Sequence, residues 1–135
     1  MRIMLVGRPH ADTAAQGRML AERLGVPHLV VDAASGATDA AFTERELAPH
    51  AAGFVLEGFP RDLAEASALD GVLQRRAAEI EVALYLRPTG SAPSAAEDAL
   101  LEHYRRQVVE LDAEGGVEEL HERVLAALRE ALVAA

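Results

Sequence analysis

Five short apolar runs, separated by longer stretches of helical periodicity, constrain this chain more than any other feature. Ile3 to Val6 ends at Gly7; His28 to Asp32 contains Leu29, Val30 and Val31; Gly53 to Glu57 contains Phe54, Val55 and Leu56. Val82 to Leu86 and Gln107 to Leu111 complete the set. Runs this short and continuous read as strands covered on both faces, as in a parallel sheet. The intervening segments have helical spacing. Thr13 to Leu24 places Ala15, Met19, Leu20 and Leu24 on one face and stops at Gly25, with Pro27 beyond. Leu63 to Arg76 carries Leu63, Ala66, Leu69, Val72 and Leu73; Ser94 caps a helix running toward Arg106. Val117 to Val133 carries a stripe of Val117, Leu120, Val124, Leu128 and Leu132. A further helix is expected around Ala40 to Leu47. Strands alternating with helices imply a three-layer, doubly wound α/β fold with right-handed crossovers.

The 135 residues, half of them hydrophobic, suit one domain with a real core, taken as residues 1–135. There is no cysteine, which excludes disulfides, a thiolate metal site and a cysteine nucleophile, and fits the cytosol. The opening apolar run is too short for a signal peptide or a membrane span. A formal net charge of −9 argues against nucleic acid and anionic membranes as partners. The five histidines, His10, His28, His50, His103 and His121, show no zinc-type spacing, and no metal is expected.

Ligands of such a sheet bind beyond the carboxyl ends of the strands, so candidate residues follow Val6, Val31, Leu56, Leu86 and Leu111. Two of these places carry a resemblance. The first is Gly7-Arg8-Pro9-His10-Ala11-Asp12-Thr13-Ala14-Ala15-Gln16, after the first strand. The second runs from Gly53 through Glu57-Gly58-Phe59-Pro60-Arg61 to Ala66. With Leu20 to His28, Val109-Glu110-Leu111-Asp112 and the Val117 helix, they resemble the adenylate kinase family of P-loop nucleoside monophosphate kinases. The resemblance implies the strand order 2-3-1-4-5 and an adenylate-kinase-like core.

The departures from that family bear on function. Its first loop is a glycine-rich Walker A sequence whose lysine bridges phosphates and whose next hydroxyl residue holds Mg²⁺. In register with Gly7, His10 and Asp12 stand at glycine positions, Thr13 at the lysine position and Ala15 at the hydroxyl position. A carboxylate at Asp12 would face incoming phosphate; two like charges about 4 Å apart repel by roughly 4 kcal/mol at an effective dielectric of about 20. The same residues have a structural reading: Thr13 to Gln16 matches a capping box, with Thr13 as N-cap, and Asp12 suits a helix N-terminus. In the second segment the resemblance puts Glu57 where the family has a magnesium-organising aspartate. It puts Arg61 where the family contacts the monophosphate, and Glu65 where a glutamine reads adenine. Arg61 could instead pair with Glu57 or Asp62.

The family also carries a monophosphate-binding insert between strands two and three and an arginine-rich lid between strands four and five. Only the twenty residues from Ala33 to Ala52 and the twenty from Arg87 to Arg106 stand there, each enough for one crossover helix and its turns. The resulting expectation is a degenerate relative without phosphotransferase activity or catalytic residues, using neither ATP nor Mg²⁺. It would interact with another protein or with itself. The vestigial nucleotide site would comprise Gly7, His10, Asp12, Thr13, Glu57, Arg61 and Glu65. The alternative is a minimal nucleotide or phosphate binder with weak residual kinase activity, in which ATP and Mg²⁺ binding survives. A flavodoxin- or receiver-like fold would show the strand order 2-1-3-4-5 instead.

Overall fold

In the computed structural model, which describes residues 1–7, 10–31 and 40–134 (backbone alone at 11 and 132–134), the five apolar runs form one parallel sheet. The strands are β1 (Arg2–Leu5), β2 (His28–Val30), β3 (Phe54–Glu57), β4 (Val82–Arg87) and β5 (Val108–Asp112), in the order β2-β3-β1-β4-β5. This is the expected order and excludes the flavodoxin-like one. The helices are α1 (Ala11–Leu24), α2 (Ala40–Glu46), α3 (Leu63–Arg75), α4 (Ala95–His103) and α5 (Val117–Ala134), with a 3₁₀ turn at Ala48–His50. Asp32, expected to end the second strand, and the side chains of Leu132 and Val133 lie outside the described residues.

Alternation along the strands builds two cores. Met4 and Val6, Phe54 and Leu56, and Ala83 and Tyr85 point to the face covered by α3 and α4, where Ala66, Leu69, Leu73, Leu100 and Tyr104 meet them. Ile3 and Leu5, Val55, and Val82, Leu84 and Leu86 point to the other face, against Leu20 and Ala21 of α1 and Leu120, Val124 and Leu128 of α5. A central parallel strand buried on both sides is apolar at nearly every position, which is why these runs do not alternate in sequence.

The helices differ from expectation in which face they bury. On α1 the buried residues are Thr13, Gln16, Gly17, Leu20 and Ala21, while Leu24 is 37% exposed. On α5, Val117 is 42% exposed and the stripe begins at Leu120; on α3, Leu63 is exposed. The rotation of α1 follows from its polar residues finding partners. Gln16 Nε2 donates to the Val117 carbonyl at 3.1 Å, and its Oε1 lies 3.0 Å from His121 Nδ1. Gln16 therefore ties α1 to α5 and does not reach back along its own helix. As expected, Gly25 ends α1 in the left-handed conformation, φ 67°, and Ser94 caps α4 with Glu97 reciprocating.

His121 gives this interface a pH dependence. Burial, and secondarily Arg23, hold its pKa below the ordinary imidazole value, against an opposing pull from Glu122. The unfolded chain thus binds this proton more readily, so stability is full above the unfolded pKa of about 6.5 and falls as pH drops below it. The loss of Tm between pH 7.5 and 5.5 is expected to be smaller in His121→Gln than in the parent, the other histidines being common to both. Equal losses in thermal melts would contradict this.

Candidate functional site

At the carboxyl ends of β1 and β3 the chain gathers most of the residues singled out above. Gly7 leaves β1 at φ 99°, and His10 is the N-cap of α1 in extended conformation. Thr13 sits one turn into the helix as its third residue, not at the cap. Its hydroxyl accepts from the His10 backbone N–H at 2.8 Å. It also lies 2.8 Å from the His10 carbonyl and 3.1 Å from Glu57 Oε2; its single proton can serve one of these at a time. The capping box therefore exists one turn earlier than its sequence pattern implies. Asp12, in the first turn, stands 3.8 Å from His10 Nδ1, and its charge suits the helix N-terminus.

Glu57 is the buried centre of the cluster. It ends β3 on the face shared with Val55 and is 3% exposed. A carboxylate so placed needs partners to remain charged. It has Thr13 on Oε2 and His28 Nε2 2.9 Å from Oε1. His28 pairs across the sheet with Val55, so its ring must slide along the strand beneath α1 to reach a carboxylate two residues on. Gly17 makes that possible: a β-carbon there would stand 2.6 Å from His28 Nε2 and 3.1 Å from Leu5 Cδ1. Neither His28 nor Gly17 was among the sequence candidates. The available signal was Gly17 itself, a glycine inside a helix, which usually marks a close approach.

Arg61 lies beyond this cluster, and among the described residues it pairs with Glu65 and with neither Glu57 nor Asp62. Glu65 Oε1 accepts from the Arg61 backbone N–H at 2.7 Å and Nε at 3.2 Å, and Oε2 accepts from Nη2 at 2.8 Å. Asp62 instead caps α3, accepting from the Glu65 N–H at 3.0 Å. The two positions matching the monophosphate and adenine contacts are thus engaged with each other, and the Glu65 carboxylate raises the Arg61 pKa.

A cavity of about 400 Å³ opens on the other side of the loop, between Val6, His10, Tyr85, Ser94 and Glu97. Glu97, a residue that sequence reasoning passed over, returns Oε1 to the Ser94 N–H at 2.9 Å. Its Oε2 leans on the Gly7 backbone, 2.5 Å from where a β-carbon would be. Burial, then Glu97, pushes the Tyr85 phenol up. Three carboxylates (Asp12, Glu57 and Glu97) thus surround the loop. The arginines described nearby, Arg61 and Arg87, are already paired with carboxylates, Arg61 with Glu65 and Arg87 with Glu110 and Asp112. Among the described residues no group of three or more His, Asp or Glu could hold a metal ion, and no helix is long and apolar enough to cross a membrane.

No protein-family model matches the chain. Individual relatives do. The adenylate kinase of Mycobacterium sp. (strain MCS) is 30% identical over 179 residues, which takes in 95% of this chain and 99% of that protein. The chain belongs to the adenylate kinase family. The adenylate kinases of Mycolicibacterium paratuberculosis and Rhodococcus erythropolis are 29% and 28% identical with the same coverage. The shikimate kinase of Aquifex aeolicus shares the fold, with a TM-score of 0.50 at 16% identity over the whole of both chains. The adenylate kinase alignments span 179 residues and this chain has 135, so at least 44 aligned positions of each relative have no counterpart here. Between β4 and β5 there is a single helix of 9 residues, α4.

The cluster makes a prediction opposite to helix propensity. Gly17→Ala should favour α1 by about 1 kcal/mol on propensity alone. It is expected to destabilise the protein, because the new methyl displaces His28 from Glu57. In a His28→Ala background the same change is expected to cost less, as read by urea unfolding in a double-mutant cycle. A stabilising Gly17→Ala in the parent would show that the His28–Glu57 pair contributes nothing.

Proposed function

We propose that this adenylate kinase relative lacks phosphotransferase activity and serves as an interaction module. The observation that carries the reading is Thr13. At the position matching the loop lysine stands a 2% exposed residue whose hydroxyl is turned inward to His10 and Glu57. Phosphoryl transfer works through positioning and cationic clamps on the transferred group. A buried threonine cannot supply the clamp, and Asp12 and Glu97 add repulsion toward phosphate. Nor do the residues fit a magnesium ion: Glu57 is buried, with one oxygen against His28 and the other against Thr13. The short β4–β5 connection supports the reading further, since a lid that excludes water needs chain that is not there.

A second reading, weak nucleotide or phosphate binding, is favoured by the Arg61 guanidinium, which remains 43% exposed at the strand end although paired with Glu65. The proposed setting is the cytoplasm, and the acidic chain is a poor partner for nucleic acid or anionic membranes.

The two readings separate in one experiment. Calorimetric titration with ATP, AMP and a bisubstrate dinucleotide pentaphosphate, with and without Mg²⁺, is expected to give no binding tighter than the millimolar range. A coupled assay with ATP and AMP is expected to give no ADP above the blank. Turnover, or micromolar affinity that Arg61→Ala removes, would overturn the first reading in favour of the second.

A further inference from the structure

Away from the strand ends, α1 and α5 leave a groove between them. Both helices pack on the same sheet face, and each follows a parallel strand, so they run in the same direction. A cavity of about 480 Å³ lies along their seam. Its middle is uncharged: Met19 and Leu125 are half-buried there, and the His121 ring turns Nδ1 inward to Gln16. Burial and Arg23 lower the pKa of that imidazole.

The charge is at the two ends, and it is opposite in sign. Glu118 and Glu122 stand one turn apart near the start of α5. Arg129 lies three turns further along, about 16 Å from Glu118 at 1.5 Å per residue, and Arg23, in the last turn of α1, lines the same cavity. All four side chains belong to exposed residues. Among the described residues none of the four joins an ion pair, although other arginines and acids of the surface do pair, as in Arg76–Glu44 and Arg105–Glu102.

A groove polarised in this way is its own complement. Rotating a second copy by a half-turn about an axis through the middle lays the acidic end of each groove on the basic end of the other. A parallel arrangement would lay like charge on like. The net charge of −9 on every copy opposes contact in any orientation that lacks such local matching. We infer that the α1/α5 groove is a self-association surface, pairing two copies of the chain about a two-fold axis with Glu118 and Glu122 of each facing Arg23 and Arg129 of the other. This supplies a partner for the interaction role proposed above but rests on the groove alone. A monomeric result would leave the nucleotide measurements as they stand.

Two charge-reversed proteins test it: Arg23→Glu with Arg129→Glu, and Glu118→Arg with Glu122→Arg. All four positions are exposed, so circular dichroism should show both proteins folded. By sedimentation equilibrium the parent is expected to be dimeric at tens of micromolar, and each variant alone to associate at least about tenfold more weakly. Mixed one to one, the variants are expected to recover a heterodimer, because every reversed charge then meets its opposite. A parent that stays monomeric overturns the inference. So does a parent dimer that neither reversal weakens, or a mixture that fails to pair.

Discussion

A carboxylate buried at the end of a central strand sets the terms for this end of the molecule. Glu57 stands between β2 and α1 at 3% exposure, where an uncompensated charge would cost several kcal/mol. Its compensation draws in two other elements through three residues. His28 comes from β2, Thr13 from α1, and Gly17 of the same helix leaves the space in which the His28 ring lies. Thr13 in turn holds the His10 backbone and so the entry of the chain into α1. The polar network at the strand ends is therefore directed at the protein's own interior. This is the physical basis for the proposed loss of phosphotransfer: groups that in a working site would point at a ligand are satisfied before one arrives.

The same logic of prior satisfaction recurs nearby. Arg61 and Glu65 form a three-bond pair. Glu97 is tied into the cap of α4 while lying against Gly7. Membership of the adenylate kinase family fixes the sheet order and the places where a site could be. It leaves open what those places do, since a fold carries activity only through the groups at its site.

The fold was readable in the sequence because the three central strands are nearly continuous apolar runs, and the edge strands β2 and β5 keep enough of that pattern to be seen. Their boundaries were recovered to within about two residues, the usual uncertainty of element ends. The site was legible only in outline. Thr13 and Gln16 match a capping box by spacing, yet Gln16 is drawn to His121, 105 residues away, and the cap moves to His10. Tertiary partners overrode a local pattern worth about 1 kcal/mol. His28 gave no motif, since a lone histidine opening a strand has no spacing to read. Arg61 was legible as an ion-pair former, but the partner came from the next helical turn and not from the adjacent acids.

The central proposal is that the described strand-end polar groups are committed inward and offer phosphate no cradle. Titrating ¹⁵N-labelled protein with Mg·ATP, and separately with AMP, tests this most directly, because amide shifts report on Gly7, Thr13 and Gly58 one by one. The account predicts only small, non-saturating shift changes at these amides up to millimolar nucleotide. Saturating changes at Gly7 and Thr13 at micromolar ligand would contradict it, and would mean that the loop still opens its backbone to phosphate.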